Sequence, residues 1–255
     1  MTAPRGTLYV MPNALDVGTA EAAVDLGERL PLGVLRIAAR LEHWVCENAK
    51  TTRAFLKRVD VLCPLALPLQ QLAIVELPRP PKGRGEAPPG DTTHLLVPAL
   101  AGSDLGLISE AGLAGVADPG ARVVEAAHRA GVRVVALPGA SSITLALAAS
   151  GLNGQSFAFV GYLPIENEAR GARIRELEAA SRRLGQTQVM IETPYRNAAL
   201  LAALLAQLQE ATLLSVSVGL TLASEWTRSE PAARWRSQPS ALPADVPAVF
   251  ALLAR

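Results

Sequence analysis

Aromatic residues make up only 4% of this 255-residue chain, and charged residues 18%. A core must therefore be built from Ala, Leu and Val, and a 50% share of hydrophobic residues is ample for one. Cysteine is nearly absent. Cys46 and Cys63 fit reduced packing residues in a cytosolic protein better than a disulfide framework. The three histidines, His43, His94 and His128, are scattered, so no metal-ligand spacing exists and no metal is expected. A formal net charge of +1 excludes a protein that coats nucleic acid by charge alone, while leaving room for a local basic groove. Pro, Gly or charge interrupts every apolar run before it could span a bilayer, and no charged start leads into an apolar signal core. A cytoplasmic protein with no membrane association is expected. Neither the glycine fingerprint of dinucleotide binding nor that of a nucleoside triphosphate loop is present.

What is present concentrates between Leu105 and Gly151. Leu105–Ser109 is a short apolar run that reads as a buried strand, broken by Glu110-Ala111-Gly112. Asp118-Pro119-Gly120 opens a helix, with Asp118 suited to accept its free amides as N-cap and Pro119 suited to the first turn. Val132–Leu137 is a second buried strand, followed by Pro138-Gly139-Ala140-Ser141-Ser142 and a helix of small residues that one of the two serines would cap. This is the βαβ pattern of a parallel sheet, whose ligands collect at the carboxyl ends of the strands.

Elsewhere the pattern predicts strands at Thr7–Met11, Val34–Ala38, Phe157–Gly161, Gln188–Glu192, Thr212–Leu220 and Val246–Leu253. Helices are predicted at Val17–Leu30, Glu47–Val59, Asp91–Ala101, Glu168–Leu184 and Ala198–Leu208. Pro78–Pro89 is too rich in Pro and Gly for a regular element and reads as a loop. Two successive α/β halves follow, divided as 1–139 and 140–255.

Three separated motifs carry a family resemblance. Ser109-Glu110-Ala111-Gly112, Ala117-Asp118-Pro119-Gly120 and Leu137-Pro138-Gly139-Ala140 resemble, in order and spacing, those of the tetrapyrrole methylase superfamily of S-adenosylmethionine-dependent methyltransferases. Within it they resemble the branch that methylates a ribose 2′-hydroxyl of small-subunit ribosomal RNA. That branch has Ser-Asp-Ala-Gly-Thr-Pro, Ser-Asp-Pro-Gly and Pro-Leu-Pro-Gly-Pro. Gly161-Tyr162-Leu163-Pro164 and Glu192-Thr193-Pro194-Tyr195-Arg196 extend the likeness. The resemblance implies two α/β domains with a cofactor cleft between them, S-adenosylmethionine as cofactor, an acceptor that includes RNA among its options, and a homodimer.

On the cofactor side the resemblance implicates Pro12, Ser109, Glu110, Ala111, Gly112, Asp118, Ser141, Ser142, Tyr162, Thr193 and Pro194. Glu110 would offer a carboxylate to an ammonium or a ribose hydroxyl, one methylene longer than the usual Asp. Tyr162 would lie beside adenine, with core packing as the equal alternative. Arg196 pairs with an acid such as Glu192 or sits on a helix start.

The departures fall mostly on the substrate side. Met11-Pro12-Asn13-Ala14-Leu15-Asp16 stands where the branch has Pro-Thr-Pro-x-Gly-Asn, and Glu47-Asn48-Ala49-Lys50 where it has Glu-Asp-Thr-Arg. Gly219-Leu220-Thr221-Leu222 replaces Glu-Leu-Thr-Lys, with Glu225 retained, and no Gly-Glu precedes Val246-Pro247. Asn13, Asp16, Lys50 and Glu225 are cleft residues by position, and none is assigned a catalytic role. Arg79, Lys82 and Arg84, and the arginines of the 168–184 helix, read as solvated charge before they read as an RNA surface. Two functions remain open: a methyltransferase with an altered acceptor site, and a protein of the same fold that binds S-adenosylmethionine without catalysis.

Overall fold

The computed structural model describes residues 4–16, 24–78 and 92–255, which separate into two compact units, 4–16 with 24–140, and 141–255. Arg79, Lys82, Arg84 and most of the Pro-rich stretch, expected to be solvated charge and loop, lie outside the described residues.

The first unit holds β1 (Thr7–Asn13), α1 (Leu26–Arg29), α2 (Leu32–Arg40), β2 (His43–Cys46), α3 (Ala49–Leu62) and β3 (Ala73–Glu76). It continues with α4 (Val97–Leu100), β4 (Leu105–Ile108), β5 (Gly112–Leu113), α5 (Ala121–Arg129) and β6 (Arg133–Ala136). Five strands run parallel in the order β3-β2-β4-β1-β6, and β5 pairs antiparallel with the last residues of β1. Strand alternation sends successive side chains to opposite faces. Trp44, Cys46, Met11 and Ile108 pack with α1–α3 on one face. Leu8, Val10, Val45, Leu105 and Leu107 pack with the α4–α5 side on the other. Burial of both faces is the reason the central strands β1, β2 and β4 are mostly apolar, whereas β3 and β6 at the edges are half-buried or exposed. Gly106 makes room on β4 for the Trp44 ring, because a Cβ there would lie 2.6 Å from Trp44 Cε3.

The strand expected at Val34–Ala38 is instead the middle of α2. Val34, Leu35, Ala38 and Ala39 are buried and Arg36 and Arg40 are exposed, a helical rather than a two-residue period. Of the helix expected over Val17–Leu30, residues 17–23 lie outside the described residues and Leu26–Arg29 is helical. β2 and β3 were not foreseen.

The second unit holds α6 (Ser142–Ser150), β7 (Phe157–Tyr162), α7 (Asn167–Leu184), β8 (Thr187–Glu192) and α8 (Asn197–Gln207). β9 (Leu213–Val218), β10 (Trp226–Pro231), α9 (Ala232–Ser237) and β11 (Ala248–Leu253) complete it. Its sheet has the order β10-β9-β11-β8-β7, and only β7 and β8 are parallel. Ile174, Leu200, Leu204 and the fully buried Trp235 cover one face and Ile143, Ala146 and Leu147 of α6 the other. Trp235 is held by its Nε1–H donating to Leu214 O at 2.8 Å, with the Arg228 guanidinium 4.1 Å from its ring centroid. The arginines of α7 are mostly used locally. Arg170 donates to Asn167, Arg173 pairs with Glu176 at 2.7 Å, and Arg175 donates to Gln207.

Candidate functional site

Parallel strands put their carboxyl ends on one edge, so residues following β1, β2, β4 and β6 gather there. After β4 the chain passes over the end of β1: Asn13 and Pro12 pair with Gly112 and Leu113 of β5. Gly112 makes this turn at a φ of +67°, which favours glycine. Its Cβ position would lie 3.9 Å from Ala140 O, so the turn after β4 and the turn after β6 adjoin. Gly139 touches the same place from the other side, since a Cβ there would sit 2.2 Å from the Pro12 Cβ.

Polar side chains fix the crossing. Asn13 is buried and donates from Nδ2 to Glu110 O at 2.9 Å and to Ser109 O at 3.2 Å. Glu47, just past β2, accepts the Glu110 N–H on Oε2 at 3.0 Å. Asn48 donates from Nδ2 to Glu110 Oε1 at 3.0 Å. Ser109 donates from its hydroxyl to Ala111 O at 3.0 Å. Residues from β1 and the end of β2 therefore hold the backbone of Glu110, and Asn48, ahead of α3, holds its carboxylate.

Asp118 is the main correction at this edge. It does not cap α5; Gly120 does, at a φ of +130° and without a side-chain hydrogen bond. The cause is local: Gly115 N–H donates to Pro119 O at 3.1 Å, closing a loop that delays the helix until Ala121. The Asp118 carboxyl instead faces Glu47, Ser109 and Glu110. Burial first, then the charges of Glu47 and Glu110, push it up to about 6, against a hydrogen bond with Ser109 that lowers it.

Three carboxyl groups beside strand-end backbone suit a ligand with an ammonium, a sulfonium and ribose hydroxyls. The close approach of Gly139 to Pro12 and the bend at Gly112 bring the backbone of the two turns together at this edge. A shallow groove of about 430 Å³ lined by Leu32, Arg36, Arg40, Leu62 and Pro64 lies on the helical layer instead and has no comparable set of carboxylates.

In the second unit, Ser141 occupies the N-cap position of α6, but its hydroxyl caps no amide; its carbonyl accepts the Leu145 N–H at 3.0 Å. Ser142 is the first helical residue, so the expected serine cap is a backbone one. Tyr162 ends β7 and is 58% exposed, which removes core packing as its role. Thr193 and Pro194 follow β8, at the same end of a parallel pair as Tyr162. Thr193 donates from N and Oγ1 to Glu192 Oε1 at 2.8 and 3.2 Å, and Arg196 pairs with Glu192 at 3.0 Å, as expected.

Of the other position-based residues, Asp16 is buried and pairs with Arg58 at 2.8 Å while accepting the Val24 N–H at 3.0 Å, a structural use. Lys50 is exposed on α3, and Glu225 accepts the Thr221 N–H. Glu47 and Asn48 went unassigned because β2 went unseen; with β2 in place, both stand at a strand end. Among the described residues no cluster of His, Cys, Asp and Glu could hold a metal ion, and no helix is long and apolar enough to cross a membrane. Cys46 and Cys63 are unbonded, and burial pushes the Cys46 thiol up.

A family model of tetrapyrrole (corrin/porphyrin) methylases matches residues 28–231. A ribosomal RNA small subunit methyltransferase I from Synechocystis is 36% identical over 139 residues, 54% of this chain and 46% of that protein. Its counterpart from Mesorhizobium japonicum is 33% identical over 175 residues, 69% of this chain and 53% of that protein. The matches thus span less than two thirds of the relatives' own length. The crystal structure of the methyltransferase CobJ shares the fold, with a TM-score of 0.54 at 15% identity, covering 98% of this chain and 94% of that one.

Proposed function

We propose, from the premise that this chain belongs to the tetrapyrrole (corrin/porphyrin) methylase family, that it is an S-adenosylmethionine-dependent methyltransferase acting on RNA. The observation that carries the reading is the shared edge at which the turns after β4 and β6 adjoin around Glu110. The acceptor is a ribose hydroxyl of small-subunit ribosomal RNA. The names of the relatives support the RNA, and the motif resemblance supports the hydroxyl. A homodimer belongs to the same reading and rests on the resemblance. A cytoplasmic location and the division into domains 1–139 and 140–255 rest on the sequence pattern.

When bound, S-adenosylmethionine supplies a methyl group made electrophilic by its sulfonium. The chain's own residues bind and orient. In this reading Glu110 receives the ammonium or a ribose hydroxyl. The backbone of Ser109, Ala111 and Gly112, beside Pro12 and Asp118, lines the same edge. By the resemblance, Ser141 and Ser142, whose hydroxyls are not used as caps, and Tyr162, Thr193 and Pro194 are cofactor-side residues as well. Alignment of donor and acceptor with exclusion of water is the main catalytic contribution of such a site.

The test is incubation with methyl-labelled S-adenosylmethionine and small ribosomal subunits lacking the modification. Label in a ribose of the RNA is the expected outcome. Binding of the cofactor with no label in RNA, protein or small molecules would overturn the catalytic reading.

A further inference from the structure

We infer that Asn48 is a positioning residue for the ligand, acting through Glu110 and having no contact of its own with the ligand. The inference deepens the proposed function and rests on it.

Asn48 is placed by two bonds from opposite ends of its amide. Its Oδ1 accepts the Lys50 N–H at 2.9 Å, capping α3, and its Nδ2 donates to Glu110 Oε1 at 3.0 Å. The cap sets the side-chain rotamer, because the oxygen must face the helix; the nitrogen then points toward Glu110. A carboxylate at this position would serve the cap equally well but would set two negative charges against each other. An amide serves both tasks.

The need for such a donor follows from the surroundings of Glu110. Its flexible side chain faces Asp118, and Glu47 is hydrogen bonded to its own N–H, so two further carboxyl groups crowd the edge. Like charges drive a mobile glutamate outward, and a long carboxylate has more rotamers to lose than the shorter Asp expected from the family pattern. Donation from Asn48 to Oε1 fixes one oxygen, and among the described residues no donor reaches Oε2. One oxygen is thus anchored and the other is presented. In the sequence, Glu110 for Asp and Asn48 for Asp read as two unrelated departures. In the structure they are hydrogen bonded to each other, a single coupled feature.

The experiment is a double-mutant cycle read by calorimetric titration with S-adenosylhomocysteine, with thermal unfolding as a second readout. The variants are Asn48→Ser, Glu110→Gln and the pair together. Serine is a good N-cap, so α3 keeps its cap, but its side chain is too short to reach Glu110. Asn48→Ser is expected to weaken binding about tenfold, the effect of one hydrogen bond to a charged group, with the unfolding midpoint little changed. In the Glu110→Gln background the same change is expected to have no further effect, since the residue it acts through has lost its charge. Wild-type affinity in Asn48→Ser, or an equal loss in both backgrounds, would overturn the positioning role. Failure of the wild-type protein to bind S-adenosylhomocysteine at all would instead overturn the proposed function, and the inference with it.

Discussion

The two units use their polar residues differently, and strand direction accounts for the difference. In the first unit five parallel strands end on one edge, so Asn13, Glu47, Ser109 and Glu110 come from separate strand ends and converge. In the second unit most neighbours are antiparallel, and strand ends alternate between edges. Among adjacent strands the parallel pair β7 and β8 brings two carboxyl ends together, and there stand Tyr162 and Thr193. Other polar groups of that unit serve the fold. Buried Glu178 accepts the Gln209 N–H and the Thr212 hydroxyl, and Arg228 pairs with Glu230 at 2.6 Å. A parallel sheet assembles a site from its own connections, whereas a largely antiparallel one does so only where it departs from its pattern.

The sharpest way to break this comparison is to damage one core and watch the other. Trp44 and Trp235 are both fully buried, one in each unit. Trp44→Ala and Trp235→Ala are each expected to cost about 4 kcal/mol. Hydrogen exchange should accelerate in residues 4–140 for the first and in 141–255 for the second. Equal acceleration of both units by either change would show that they form one cooperative block.

A smaller loss is expected at Asp16. Its ion pair with Arg58 is a buried one on the carboxylate side, so Asp16→Ala leaves the guanidinium and the Val24 N–H without that partner. The expected cost is about 3 kcal/mol by denaturant unfolding, with affinity for S-adenosylhomocysteine retained. A loss of affinity without loss of stability would return Asp16 to the site.

Asp118 should act through pH. Its carboxyl in the folded protein is raised to about 6 from 3.8, so the folded state holds the proton more tightly than the unfolded chain does. The stabilisation is fully present below 3.8 and is lost as pH rises through about 6. Asp118→Asn should therefore raise the melting temperature relative to wild type at pH 7.5, and the difference should shrink toward zero near pH 4. A difference that stays constant with pH would contradict the burial of Asp118 and its crowding by Glu47 and Glu110.

The smallest effect is expected at Ser141. Its hydroxyl makes no cap bond, so Ser141→Ala should change stability by less than about 0.5 kcal/mol. Asn48→Ala, which removes a working cap, should cost about 1 kcal/mol.

Legibility from sequence followed the same divide. The βαβ unit between Leu105 and Gly151 was readable because both strands are apolar runs bounded by Gly and Pro, and β4, α5, β6 and α6 all appear there. β10 was invisible: Trp226–Pro231 is largely polar and lies at the edge of its sheet, where one flank needs no apolar pattern. β2 and β3 are four residues each, too short for a period to declare itself. Val34–Ala38 misled because five residues of α2 hold little more than one helical turn. At the site, Ser109, Glu110 and Gly112 were found by their motif. Glu47 and Asn48 act across 63 and 62 residues of chain, and local pattern carries no trace of such pairings. Asp118 was misassigned because a preceding hydrogen-bonded loop, Gly115 to Pro119, moved the helix start beyond it.

The most direct measurement is a crystal structure of the protein grown with S-adenosylhomocysteine. The ligand is predicted at the carboxyl edge of β1 and β4, with a ligand nitrogen or ribose hydroxyl within hydrogen-bonding distance of the Glu110 carboxylate. Density for the ligand at the opposite edge of that sheet, or in the groove beside Arg36 and Arg40, would contradict the account.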